Sequence, residues 1–372
     1  MTAKVVEVRK TCAQRVLKLL RRLEQLDFTR KVQREGDRVR VPVSSELPSE
    51  VWEKVRKADA TAKFVDVELP LAAKRKATPT ALLEAVVPAE LRPHLPHSFD
   101  VVGDLVVFEL PDRLVDHFET HLRSMGNELL RAFNNAKAVY LKAGSVQGTF
   151  RTRPLRHLAG EERTTTVHRE NGCSFRVDLA KTFFTPRLVT ERARITGRVR
   201  AWPVPVVDLF AGVGSFSVQL AKHCNVEVVA MDVNPAAVDL CRQNAAANKV
   251  SDLVHVFHED AKNAVGLVQG LTDVWGAPKH VVMNLPESAL QFLDVAFDLA
   301  SPAGGEVHLY SFGEKPDPVD DVLAKVRDLI ESASGGEKGN DWDVQAAKVV
   351  KPHSPSKDMV VVDLRVGPYD ND

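Results

Sequence analysis

Val204-Pro205-Val206-Val207-Asp208-Leu209-Phe210-Ala211-Gly212-Val213-Gly214 is the stretch that decides the fold. Its apolar run, closed by an acid and a glycine pair, predicts a strand over 204–210 that turns at once into a helix over 216–223. Glycines at such a turn let the backbone approach a ligand closely, and open α/β sheets bind ligands at the carboxyl ends of their strands. The third glycine of a dinucleotide fingerprint is missing, because Phe216 follows at nearby spacing. Asp208 ahead of the turn would repel a pyrophosphate. It would attract the cationic amino-acid portion of S-adenosylmethionine.

Downstream the pattern alternates regularly. Strands are predicted over 227–232, 254–258, 280–285, 307–312 and 359–366, and helices over 235–248, 261–269, 288–300 and 318–332. Pro235 suits the first helical position of its segment. The alternation implies an α/β fold with a doubly wound, mostly parallel, Rossmann-like sheet.

Three more strand ends are polar. Asp232 closes the second strand, 18 residues after Gly214, where a carboxylate can accept both hydroxyls of a ribose. Asp260, followed by Ala261, closes the third, where an adenine would lie. Asn284-Leu285-Pro286 closes the fourth, beside a transferable methyl. Any one such acid reads first as a helix N-cap or a surface charge. Four in consecutive register point to S-adenosylmethionine as the cofactor. Glu287 stands where an Asn-Pro-Pro-aromatic motif would carry its stacking ring, which argues against methylation of an exocyclic adenine amine. Upstream, Phe183-Phe184-Thr185-Pro186-Arg187-Leu188-Val189-Thr190-Glu191-Arg192 reads either as a wall near the cofactor or as a helix with surface ion pairs.

Composition sets outer bounds. The 372 residues carry 50 Lys/Arg and 50 Asp/Glu, a net charge of zero. That zero sums unlike parts. Residues 1–40 hold 12 bases against 5 acids and residues 131–200 hold 15 against 5, whereas residues 201–372 hold 13 against 25. A concentrated basic block suggests a surface for a polyanion, although a solvated basic face fits the charge equally well. Cys12, Cys173, Cys224 and Cys241 form no C-x-x-C pair, so neither a disulfide framework nor a metal is expected. No apolar run approaches the ~20 residues that span a bilayer, so no membrane association is expected.

Ahead of residue 183 the organisation is less regular. Residues 1–65 read as a small α/β unit with an amphipathic helix over 13–26, and residues 66–97 as a proline-rich linker holding a short helix over 81–87. Residues 98–182 read as a basic α+β domain, with a strand pair over 99–110, helical spacing over 114–133, and strands at 138–142 and 173–177. The nucleotide-domain pattern is assigned to residues 183–372.

Taken together, the segments Phe150-Arg151-Thr152-Arg153 through Glu161, His168 to Gly172, Phe184 to Leu188, Thr190-Glu191-Arg192, Asp208 to Gly214, Asp232 to Pro235 and Asn284-Leu285-Pro286 are distinctive in this order. The chain resembles the archaeal and eukaryotic type of tRNA (guanine-37-N1)-methyltransferase. The resemblance implies that Glu191 is the general base for guanine N1 and that Arg151 stabilises charge on O6. It places Asn234 and Pro286 in the walls of the pocket. Cofactor contacts are implied for Arg187, Arg192, Asp232, Val233, Asp260, Ala261 and Asn284, alongside the Asp208, Phe210, Gly212 and Gly214 loop.

The partner implied is tRNA, with anticodon-loop phosphates contacted from the basic block through Lys142, Arg153, Arg156 and Arg169, and the tRNA body by the N-terminal unit. A monomeric, cytoplasmic enzyme is expected, with a nuclear or mitochondrial pool left open. Two alternatives stand. One is a wybutosine-pathway aminocarboxypropyltransferase using the same cofactor, and the other is an inactive RNA-binding scaffold. The family's usual tyrosine is replaced by Phe183, and a common proline by Ser215.

Overall fold

The computed structural model describes residues 2–27, 30–44, 46–70, 78–144, 153–334 and 342–367. Seven strands build the main sheet: Val206–Asp208 (β1), Val228–Asp232 (β2), Val254–His258 (β3), Lys279–Met283 (β4), Gly305–Glu314 (β5), Trp342–Pro352 (β6) and Lys357–Val366 (β7). They lie in the order β3-β2-β1-β4-β5-β7-β6. The first five are parallel, and β7 pairs antiparallel with both β5 and β6. The order reverses between β1 and β4, so the ligand crevice of such a sheet opens at their carboxyl ends.

Both faces of the sheet are covered, which explains why its central strands read as continuous apolar runs. Helices Val189–Ala201 (α1), Ser217–Cys224 (α2) and Pro235–Ala247 (α3) share a core with Val206, Val228 and Val282. Leu293–Ala300 (α4) and Pro318–Ser334 (α5) cover the opposite face, against Val207, Val229 and Val281. Strand β6 is absent from the expected pattern. It is a half-exposed edge strand with register shifts at Val344/Ala346 and Val349/Lys351, and bulges of this kind break the two-residue period.

Residues 79–160 carry a smaller sheet, ordered Phe99–Val102, Leu105–Glu109, Ala138–Lys142 and Leu155–Gly160. The helical spacing over 114–133 resolves into two helices, Asp112–Phe118 and Leu122–Ala132. Leu83, Val87 and Leu95 are buried in the same core as Phe108, Leu122 and Val139. The second half of the expected linker is therefore packed structure. Its prolines punctuate short helical turns there.

A hairpin, Thr165–Glu170 and Cys173–Asp178, reverses at Asn171-Gly172, both at positive φ, as its right-handed twist favours. Helix α3 closes the outer edge of this hairpin. Asn248 accepts from the Ser174 amide and donates to its carbonyl, and Asn244 does the same for Arg176. Four residues of helix rise about 6 Å and two of strand about 6.6 Å, so two asparagines one turn apart imitate a neighbouring strand.

The chain divides into two compact units, Met1–Thr78 and Pro79–Asp372. In the first, an antiparallel sheet runs Gln33–Glu35, Arg38–Pro42, Thr2–Arg9, Lys63–Glu68, covered by helices Lys10–Arg22 and Ser49–Ala58. The expected helix over 13–26 begins earlier and ends at Arg22. Leu26 instead bridges to Val43.

Candidate active site

Four strand tips converge as their register requires. Asp208 ends β1 fully buried, and Ser217 donates to its Oδ2 at 2.6 Å. Its Oδ1 is buried and makes no close hydrogen bond among the described residues, although the Phe210 and Ser217 backbone amides pull on the carboxylate. Burial, with the like charge of Asp232 behind it, pushes the Asp208 carboxyl up to about 6 against the pull of Ser217. Asp232 ends β2, and its two oxygens are held by backbone amides, Gly212 at 2.8 Å and Asn234 at 2.9 Å. Burial raises its pKa as well.

Gly212 and Gly214 both sit at positive φ, 55° and 83°. A Cβ at Gly214 would meet Cys241 Sγ at 2.7 Å, whereas at Gly212 the nearest atom would be Phe183 O at 3.9 Å. Gly214 lets α3 pack close, and Gly212 keeps the loop open. Phe210 packs edge-on against Phe292, and Phe183 is 59 % exposed.

The third tip is Asp260, which caps its own turn by accepting from the Lys262 amide, and Ala261 behind it is buried. The His258 ring contacts the Val233 carbonyl between the second and third tips. At the fourth, Asn284 Oδ1 is buried with no partner among the described residues, and the Pro286 carbonyl accepts from the Phe312 amide at 3.1 Å. Asn234 is the N-cap of α3, accepting from the Ala236 amide while donating to the Lys181 carbonyl. Both ends of its side chain thus serve the loop.

Glu191 lies in the first turn of α1, 4 % exposed. Lys348 holds its Oε1 at 2.7 Å, and Arg194 at 2.7 Å and Tyr310 at 3.4 Å hold its Oε2. Its neighbour Arg192 is also buried. The guanidinium grips both oxygens of Glu170, donates to the Thr185 carbonyl and lies over Phe184. Gln219 and His168 complete the shell of Glu170. The ion pair of the Arg187-to-Arg194 stretch is therefore interior, and the surface alternative for Glu191 and Arg192 is excluded by their burial. Arg187 reaches instead to Asp100 and Ser98. Sequence reasoning missed Glu170, Ser217, Gln219 and Tyr310. Only Glu170 stood within a quoted motif, and their partners are distant in sequence.

The basic block is largely neutralised in space. Lys142 pairs with Asp100 and Glu109, Arg153 with Glu109, and Arg156 with Glu119. Arg169 is exposed on its hairpin, and it makes no ion pair among the described residues. Arg151 lies outside the described residues. In the first unit, Arg15, Lys18, Arg22, Lys54 and Lys57 line a cleft of about 530 Å³ without an acid among them.

Strand order, glycine turn and acidic tips together define an α/β methyltransferase of the Rossmann-like class. Residues 166–335 match the family model for the TRM5/TYW2 methyltransferase domain, and residues 80–164 match that for the TYW2 N-terminal domain. The chain is 34 % identical over 345 residues to the tRNA (guanine(37)-N(1))-methyltransferase Trm5b of Pyrococcus abyssi, covering 92 % of this chain and 93 % of that one. The crystal structure of that Pyrococcus abyssi protein superposes with a TM-score of 0.67 at 31 % identity, covering 98 % and 99 % of the two chains. A complex of an aTrm5 with tRNALeu superposes at 0.63 with 29 % identity, covering 97 % and 99 %. The chain belongs to the tRNA (guanine(37)-N(1))-methyltransferase family and is an S-adenosylmethionine-dependent methyltransferase.

The residues present fit that cofactor. Two buried oxygens, Asp208 Oδ1 and Asn284 Oδ1, make no close hydrogen bond among the described residues, and a ligand carrying an ammonium and an adenosine supplies donors. Gly212 leaves open the space that a larger side chain would take. Among the described residues, no helix is long and apolar enough to cross a membrane.

Proposed function

We propose that the protein transfers a methyl group from S-adenosylmethionine to N1 of guanine 37 in the tRNA anticodon loop. The observation that carries this reading is the pairing, in one domain, of open polar strand tips with a buried carboxylate. At the strand tips, Asp208 and Asn284 keep buried oxygens that make no close hydrogen bond among the described residues, and on α1 Glu191 is buried yet ionically held. The sulfonium donor, when bound, supplies an electrophilic methyl. Guanine N1 keeps its proton at neutral pH, so the transfer needs a base, and Glu191 takes that role.

In this reading Asp208, Phe210, Gly212, Gly214, Asp232, Val233, Asp260, Ala261 and Asn284 hold the donor. Arg187 and Arg192 act on it through the loop they brace. Asn234 and Pro286 shape the pocket, and Arg151 stabilises charge on O6. Arg169, with Lys142, Arg153 and Arg156 where they are not drawn off by acids, meets the anticodon-loop backbone. The basic cleft between the helices of the first unit meets the tRNA body. The domain with residues 183–372 carries out the chemistry, and the enzyme works as a monomer.

The test is incubation with labelled S-adenosylmethionine and tRNA transcripts differing only at position 37. Label confined to the guanine-37 transcript, with a product heavier by one methyl, is the expected result. Equal labelling of all transcripts would overturn the site. An added aminocarboxypropyl mass would move the chain to the wybutosine-pathway reading.

A further inference from the structure

Helix α1 meets the sheet through charges. Glu191, Arg194 and Arg198 fall on one side of it, opposite Glu306, His308 and Tyr310 of β5 and Asp363 of β7. Arg194 bridges Glu191 to Asp363, and Arg198 lies between Asp363 and Glu306. His308 and Asp363 are cross-strand partners, 2.7 Å apart through His308 Nδ1. His280 of β4 completes the row. Its Nδ1 lies 3.0 Å from His308 Nε2, and its Nε2 lies 3.1 Å from the Trp202 carbonyl at the end of α1.

Proton positions follow from this geometry. A carbonyl only accepts, so His280 carries hydrogen on Nε2. Asp363 is ionised. Burial alone would push its carboxyl up, but His308 and Arg194 hold it well below the usual carboxylate range. His308 therefore carries hydrogen on Nδ1. If both rings were neutral, His280 Nδ1 and His308 Nε2 would face each other at hydrogen-bond distance with two lone pairs and no proton. In an interior where both histidines are 0 % exposed, such a contact is repulsive and unsatisfied.

One further proton resolves it. The surrounding layer holds the carboxylates of Glu191, Asp363 and Glu306 and the guanidiniums of Arg194 and Arg198. Lys348 and Arg365 face the same layer but are about half exposed, and Tyr310 is neutral, its hydroxyl pushed up by burial. Burial pushes His280 down to about 3, and its own hydrogen is held on Nε2 by the Trp202 carbonyl, so the further proton sits on His308, whose other ring nitrogen faces Asp363.

We propose that His308 is an imidazolium at neutral pH, donating from both ring nitrogens, and that it is a positioning residue which pins Asp363 on Arg194 and through Arg194 orients Glu191. The role assigned to Glu191 rests on the reading above; the protonation of His308 does not. A divalent cation is the alternative occupant, since His280, Glu306 and His308 offer donors within 4.8 Å of one another. The 3.0 Å ring contact and the grip of Arg198 on Glu306 favour the proton.

The full chain labelled with 15N-histidine separates these states. Two-bond 15N–1H spectra between about pH 6 and pH 8.5 are expected to show one imidazole protonated on both nitrogens throughout, lost in His308→Gln. A neutral His308 at pH 7.5, or a stoichiometric transition metal by elemental analysis, overturns the assignment. Single-turnover methyl transfer by His308→Gln is expected to slow roughly 10- to 100-fold with a shifted pH profile and donor affinity within about twofold. Where that variant does not fold, His280→Leu removes the acceptor and is expected to lose the second proton and the rate together. Full rate in a variant whose imidazolium is gone overturns the positioning role. Full rate in Glu191→Gln with the imidazolium intact would instead remove Glu191 as base and leave the proton on His308.

Discussion

The Gly212 amide donates to Oδ2 of Asp232 at 2.8 Å, locking the turn after the first core strand to the tip of the second. The Asn234 amide holds the other oxygen. A carboxylate whose two oxygens are each fixed by one amide keeps further lone pairs free, and in the proposed reading the paired hydroxyls of a ribose meet them without reorganisation.

The two loop glycines separate stability from binding. Gly214→Ala drives a methyl into Cys241 at a positive φ and is expected to lower stability by about 2–4 kcal/mol. Gly212→Ala meets open space, so its cost is the strain of its φ, about 1 kcal/mol, while donor affinity falls at least tenfold. Urea melts and calorimetric titration with S-adenosylmethionine check the pair. Equal effects of both variants on both measurements would contradict the division.

Asp208 makes stability depend on pH. Its folded-state pKa of about 6 exceeds the unfolded value, so the folded protein binds the extra proton between about pH 4 and pH 6. Stability contributed by that proton is present below this window and is lost as pH rises through it. At pH 7 the buried charge costs roughly 2–3 kcal/mol. Asp208→Asn is expected to melt higher than the parent at pH 7 but not at pH 4, while binding the donor more weakly. A parallel shift at both pH values would rule out the titration of Asp208 as its cause.

Glu191→Gln keeps the size of the side chain, gives up its charge pairing with Lys348 and Arg194, and in the proposed reading removes the base. Methyl transfer is expected to slow by ~10²–10⁴-fold with cofactor affinity unchanged. Rapid-quench assays under single turnover give the rate, and a variant at full speed removes Glu191 from the chemistry.

Arg192 and Glu170 form an interior pair, 2 % and 3 % exposed at their side chains. Glu170→Gln leaves a guanidinium unneutralised in the interior, so a loss of about 3–5 kcal/mol is expected. A melting temperature within a degree of the parent would mean that Arg192 is free to serve the cofactor directly.

Lys54→Glu with Lys57→Glu reverses two charges of the acid-free cleft in the first unit. Affinity for whole tRNA is expected to fall, and the slope of log K against log salt to drop by about one to two. The anticodon stem-loop alone should bind as before. An unchanged slope would show that phosphates do not enter this cleft.

The parallel sheet was readable from residues 204–312 because each strand is short, apolar and closed by a glycine, acid or proline signal of local origin. Asp208, Asp232, Asp260 and Asn284 could be assigned to strand tips for the same reason. Strand β6 escaped because its bulges and half-exposed edge erase the alternation. A short helix was legible within residues 81–87, but the packing of Leu83, Val87 and Leu95 into the core was not, because the prolines around them mimic a linker.

Electrostatics behaved in the opposite way. Lys142, Arg153 and Arg156 look in one dimension like part of a phosphate-binding block, yet Asp100, Glu109 and Glu119 from the preceding acidic segment neutralise them. Likewise nothing near residue 191 announces Tyr310, Lys348 or Asp363, which reach its helix from strands more than a hundred positions away. Local propensity, turn chemistry and the order of strand ends are carried by neighbours along the chain, so they survive in the linear string. Burial, ion pairing and the place of a proton depend on distances through space between remote residues, and these exist only once the sheet has closed.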